Sequence, residues 1–320
     1  MRVFNTIAMN AFMELIRQPI YLVLMVGSGV FMLFLASLYY VGTGEDSSMV
    51  KSGVLASLFL IGLFVAVLGA SFSVGEEVET GTALAVLSKP VGRIQFVLAK
   101  FTGLAGALLV QCYTGCLAAL LASRMAFDVY GSPDYPAIFI FGGALLVAGL
   151  FGAGINFFMM RPFVGPTVFS AVVCMSIAFV VVNYVDKNWQ FQNQFGEQID
   201  WRMIKAVGLL LMALWALAGI AITCSTRMAL IPTLVVCMGV FLTGLVSDHF
   251  FGQRAEDGLL WAKFLYALIP NWQLFWMADA LAEGKSIPWS YLLQCMFYVM
   301  GSLVISLGLA IWLFDERELS

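Results

Sequence analysis

Eight stretches of this chain, 20–41, 53–74, 96–122, 136–160, 163–185, 203–224, 228–247 and 289–314, are long and apolar, with no acid or base near their centres. A helix rises about 1.5 Å per residue and the hydrocarbon core of a bilayer is about 30 Å thick, so about 20 such residues cross it. Backbone amides cannot stay unpaired at that depth, and a crossing segment of this kind has to be a helix. The prediction is an all-α, polytopic transmembrane helical bundle of about eight spans. Composition agrees: 62% of residues are hydrophobic and 11% charged, where soluble domains carry about 25% charge.

Ahead of the first stretch, Val3, Phe4, Ile7, Ala8, Ala11, Phe12 and Leu15 recur at helical spacing, opposite Asn5, Thr6, Asn10, Glu14 and Arg17. That pattern predicts a helix over 1–19 lying in the membrane interface and ended by Pro19. As an extension of the first span it would put Glu14 and Arg17 in lipid, at a cost of several kcal/mol. The first apolar stretch is too long for a signal-peptide core and no small-residue cleavage site follows it, so the N-terminus is expected to be retained in the cytoplasm.

Two tight links, Arg161-Pro162 and Ser225-Thr226-Arg227, each carry an arginine, as cytoplasmic connections tend to. The resulting parity places Arg2, Arg17, Lys89, Arg93, Lys100, Arg161, Arg227 and Arg317 inside, and Lys51, Arg124, Lys187, Arg202, Lys205, Arg254, Lys263 and Lys285 outside. The basic residues are therefore evenly split. Orientation rests on the acidic residues of the outer loops and on the Trp-rich segments 189–201 and 261–289, and both termini are expected inside a plasma (inner) membrane. Small residues at four-residue spacing, Gly62, Ala66 and Ala70, then Ala144, Ala148, Gly152 and Asn156, predict close helix packing within the chain.

Several kinds of chemistry are poorly served. Cys112, Cys116, Cys174, Cys224, Cys237 and Cys295 sit in apolar stretches without a CxxC pair and read as packing residues. The lone histidine, His249, and seventeen scattered methionines make no metal site. No span carries a central charge of the kind that couples transport to protons or sodium. An intramembrane enzyme would need paired Asp, His or Ser-Lys groups at one depth, and none can be assembled. A net charge of −3 with mixed signs gives no polybasic face for nucleic acid. A phosphate-binding GxxxxGK[ST] loop is absent as well, so ATP, if it drives this chain, binds elsewhere.

The one substantial cytoplasmic loop, within 75–100, reads GEEVETGTALAVLSKPVGRIQFVLAK. It opens on Glu76, Glu77 and Glu79, breaks at Gly81, and has the composition of one or two helical turns from Thr82 to Ser88, stopped by Pro90. A short, partly apolar helix held outside the bilayer suits a docking knob for a soluble partner, with Leu84 and Leu87 as anchors and the glutamates as a charged rim.

This loop resembles that of the ABC-2 transporter permeases, which commonly carry EE…GT…LLSKPVSR…F…GK between their second and third spans. The matching residues are Glu76-Glu77, Gly81-Thr82, Leu87-Ser88-Lys89-Pro90-Val91-Gly92-Arg93, Phe96 and Lys100. The resemblance implies that 75–95 holds a coupling helix contacting a separate nucleotide-binding ATPase subunit through Glu76, Glu77, Glu79, Thr82, Leu84, Leu87, Ser88, Lys89 and Arg93. It implies a non-catalytic permease subunit of an ATP-driven transporter, export rather than import, ATP and Mg in the partner, and a second permease copy or paralogue. The helix over 1–19 looks like the family's elbow helix, followed by a transmembrane domain over 20–320. The segment 248–288, with short amphipathic pieces at 259–268 and 272–281, resembles its outer re-entrant helices. Against the usual six spans, 136–185 is an inserted pair. The alternative from another class is a membrane scaffold or regulatory subunit of an ATPase-linked assembly.

Overall fold

Proline sets the first corner of the fold. In the computed structural model, which describes residues 2–38, 46–75, 92–126, 134–191, 194–196, 198–252, 254, 259–261, 263, 266 and 269–315, helix α1 (Arg2–Ile16) gives way at an extended Gln18 to α2 (Pro19–Ser37). Pro19 occupies the first turn of α2, where a missing N–H costs nothing. Helix α3 (Asp46–Ala70) runs on into a π-helical turn at Ser71–Gly75. It is followed by α4 (Arg93–Met125), α5 (Tyr135–Met159), α6 (Val164–Val182), α7 (Met203–Ser225) and α8 (Leu230–Leu245). Short turns at Asp248–Gly252 (π) and Trp272–Phe275 (3-10) precede α9 (Ala278–Ala282) and α10 (Trp289–Asp315). No strand occurs among the described residues, only an isolated bridge between Val185 and Phe191. The protein is an all-α, polytopic membrane bundle.

Among the described residues, seven helices are long and apolar enough to cross a membrane: α2, α3 with its π turn, α4, α5, α6, α7 and α10. The remaining stretch, 228–247, differs from expectation. It forms the 16-residue α8, about 24 Å long and short of the hydrocarbon thickness. The reason lies at its end, where the segment 270–275 packs over it. A Cβ on Gly244 would lie 2.4 Å from the Pro270 carbonyl and 2.3 Å from the Trp272 ring nitrogen. Gln273 Nε2 donates to the Leu245 carbonyl at 2.9 Å and Trp272 Nε1 to that of Val240 at 3.3 Å. Trp272 is fully buried, edge-on to Phe59 of α3 with ring centroids 6.2 Å apart.

Helices α3, α4 and α7 form the centre: 67% of the apolar window of each is buried, against 17% for α5, which is thereby peripheral. Helix α10 packs on α7, α2 on α4 and α3, and α1 across α4. The residues taken as an inserted pair, 136–185, make a hairpin of α5 and α6 that joins the rest chiefly through α6, against α4 and α2.

Both small-residue stripes are seams within the chain. A Cβ on Gly62 would meet Leu214 of α7 at 2.4 Å. Along α5, the Ala148 carbonyl accepts from Ser170 Oγ of α6 at 3.0 Å, and a Cβ on Gly152 would lie 1.9 Å from Thr167 Oγ1 and 3.2 Å from its Cα. Asn156 leaves the seam and caps the helix end, donating to the Arg161 carbonyl at 2.6 Å. Gly152→Leu should therefore wedge α5 from α6 and lower stability by about 1–3 kcal/mol, measured as unfolding in detergent. An unchanged midpoint would mean that the seam is loose.

Candidate coupling site

The helix that enters the loop ends buried, and the helix that leaves it is buried from its second turn; both are tied to distant parts of the chain. On the upstream side, α3 ends in the π turn Ser71–Gly75, of which Ser71, Ser73, Val74 and Gly75 are buried. Ser71 Oγ and Ser225 Oγ, at the end of α7, stand 3.5 Å apart. Among the described residues, Ser73 Oγ is buried without a hydrogen-bond partner. A π turn widens the backbone ladder and an unmet buried hydroxyl costs free energy, so this end of α3 is less settled than its middle.

Downstream, Gly92 is extended (φ −67°, ψ 140°) and α4 begins at Arg93, which is exposed. One turn on, Phe96 stacks on Phe314 of α10 at 5.5 Å between centroids, both fully buried. Lys100 follows, 3% exposed, with Nζ 3.4 Å from Glu14 of α1 and 5.8 Å from the Phe96 ring centroid. A buried ammonium needs a counter-charge, and α1 supplies it. Gly103 then forms the seat for α1: an added Cβ would come within 2.7 Å of both the Ala8 carbonyl and Ala11 Cβ, and 2.9 Å of the Phe12 amide nitrogen. Backbone contact that close requires glycine. The first three turns of α4 thus bind α1 on one side and α10 on the other.

Of the residues expected to form the site, Arg93 opens α4, while Glu76, Glu77, Glu79, Thr82, Leu84, Leu87, Ser88 and Lys89 lie outside the described residues. Phe96 and Lys100 belonged to the motif, but their partners Phe314 and Glu14, and the Gly103 seat, were not foreseen. The signal for Glu14 was available. Lys100 lies within an apolar run and needs an acid, and the helix before the first span contains only one.

The opposite end of the bundle is closed by ion pairs. Arg124, the last-turn cation of α4, donates Nε to Asp134 at 2.9 Å and its two terminal nitrogens to the carbonyls of Val182 and Val185, the latter at 2.7 Å. Asp134 caps α5 by accepting from the Ala137 amide at 3.1 Å, and both charged residues are buried. Nearby, Asp200 accepts from Lys51 of α3 and from Arg202, each at 2.8 Å. Arg202 also reaches the Gly284 carbonyl, and Lys205 the Ile287 carbonyl at 2.7 Å. Lys51, Arg124, Arg202 and Lys205, grouped on one side by the parity argument, share this end.

Burial pushes the Asp200 carboxyl up, but the Arg202 and Lys51 hydrogen bonds and the Lys51 charge outweigh it and hold the group below the usual carboxylate range. A depressed folded-state value contributes stability that is present above the ordinary carboxylate range and lost as pH falls through the folded-state value. Asp200→Asn should therefore flatten the acid limb of a melting-temperature profile while costing stability at neutral pH. A wild-type acid limb retained in the variant would assign the loss to other groups.

No curated protein matches this sequence. Residues 10–165 match the family model described as an ABC-2 family transporter protein, a region that runs from Asn10 in α1 through α2, α3, α4 and α5 and stops at the start of α6. Through this segment the chain is similar to the ABC-2 transporter family, and the long apolar helices among its described residues make it a multi-pass membrane protein.

Proposed function

We propose that this permease is driven by a separate ATPase subunit docked on residues 76–93, that it works beside a second permease copy or paralogue, and that it exports its substrate. ATP and Mg belong to the partner subunit. Residues 76–93 and both termini face the cytoplasm, and the membrane is the plasma membrane. The observation that supports this reading best is the attachment of α4 just beyond the loop. Through Gly103 and the Lys100–Glu14 pair it is joined to α1, and through Phe96–Phe314 to α10. A push on the loop would move α4, the elbow helix and the last span together, while the π turn of α3 gives way. Packed helices of this kind switch between discrete arrangements instead of bending continuously. An outer re-entrant segment over 248–288 is part of the same reading, supported by the fully buried Trp272, which lies over Gly244 near the end of α8.

Co-expression of the full chain with an ATPase encoded beside it tests the reading. The two should co-elute, the permease should change the ATPase turnover, and transport should survive dissipation of proton and sodium gradients. Gradient-driven transport without any ATPase would place the protein in another class. Exchanging Glu76, Glu77 and Glu79 for lysine should weaken co-elution mildly at low salt and hardly at all at high salt, since an exposed rim is screened within about 10 Å at 0.1 M. A salt-independent effect would contradict a rim.

A further inference from the structure

On the loop-bearing end of the bundle, the corner between α1 and α2 and the corner between α5 and α6 meet around a cleft of about 410 Å³. Arg17 comes from the first corner, Arg161 and Pro162 from the second, with Met13, Gly165 and Phe169 completing the wall. Among the described residues, no carboxylate lines the cleft. The nearest acid in sequence, Glu14, is engaged by Lys100. Gly165 lets the Arg17 side chain lie across the start of α6, since a Cβ there would sit 3.3 Å from Arg17 Cγ.

The cleft shares Ile155, Pro166 and Phe169 with an apolar trough of about 460 Å³ along the α5–α6 hairpin. The trough runs from Ile155 to Val147 on one helix and from Pro166 to Cys174 on the other, a length of about 12 Å at 1.5 Å per residue. Its walls are exposed: Val147, Phe151 and Val173 are each more than half accessible. Two guanidinium groups thus stand at the head of an open hydrocarbon groove, at the end of a hairpin that faces outward from the bundle.

Guanidinium binds phosphate through paired, planar N–H donors, better than a point charge does. Basic pockets between spans hold anionic head groups when an apolar surface continues below them. We infer that the cleft and trough form a binding site for one anionic phospholipid, its phosphate between Arg17 and Arg161 and an acyl chain along the α5–α6 groove. A bound lipid would bridge the elbow helix to the peripheral hairpin, which otherwise touch little.

Native mass spectrometry of the full chain in neutral detergent, with phosphatidylglycerol or phosphatidylcholine of equal chain length, provides the test. The wild type should retain one phosphatidylglycerol in preference to phosphatidylcholine, and the Arg17→Gln, Arg161→Gln double variant should lose that preference about tenfold. Val173→Trp, which fills the trough and leaves both arginines, should lose retention too, and serves if the double variant does not fold. Equal retention of both lipids by the wild type, or undiminished preference in either variant, would overturn the proposal. Displacement of the lipid by millimolar inorganic phosphate alone would also overturn it, because the site would then be one for a free anion.

Discussion

Replacing Arg124 with leucine is expected to lower the stability of the bundle by about 3–5 kcal/mol, the range for removing one member of a buried ion pair. Asp134 would be left buried without its counter-charge, and the carbonyls of Val182 and Val185 would lose their donors at the same time. Three helix ends, those of α4, α5 and α6, meet on this one guanidinium. Arg124→Lys should recover only part of the loss, because a single ammonium cannot serve three acceptors arranged around a planar fork. Asp134→Asn keeps an N-cap oxygen for the Ala137 amide and removes the charge. Made in the Arg124→Leu background it should restore stability, although alone it destabilises. Unfolding in detergent of the two single variants and the double variant decides the matter. Simple additivity would mean that the pair is not what holds this end closed.

The spans were legible in the sequence because hydrocarbon permits only one way to pair a backbone, so apolar length alone specifies a helix. Residues 228–247 mark where that reasoning stops. Length and hydropathy count residues, and they cannot register that Pro270 and Trp272 lie over Gly244 and take up the depth that a longer helix would fill. The seam between α5 and α6 was visible in Ala148 and Gly152. The base of the candidate site was half legible. Phe96 and Lys100 stand in a recognisable motif, but stacking on Phe314 joins residues more than two hundred positions apart, and no local pattern announces it. Gly103 sits among other small residues of α4, and its role shows only once α1 lies on it. Arg124 could be assigned to a helix end from charge alone; the three acceptors it gathers come from two other elements and an intervening loop.

Changing both Leu84 and Leu87 to aspartate is expected to abolish association with the ATPase subunit. If these side chains fill an apolar pocket of the partner, each substitution buries an unpaired carboxylate there, and the combined loss is several kcal/mol, or a weakening of a thousandfold and more. Both residues lie between the apolar stretches 53–74 and 96–122 of the sequence, so membrane insertion and the melting temperature of the isolated permease should not change. The Lys100–Glu14 and Phe96–Phe314 contacts lie on the helix side of the loop and should remain intact. Conversely, Gly103→Leu should leave the docking surface unaltered and displace α1, so the ATPase should still bind while its turnover loses its dependence on the permease. The most direct measurement is therefore the affinity of the purified ATPase subunit for the full-length permease, wild type against the Leu84→Asp, Leu87→Asp variant, together with ATP turnover in each complex. Loss of binding with an intact, inserted permease is the predicted result. Unchanged affinity and the same stimulated turnover would show that the loop between α3 and α4 does not couple the two subunits.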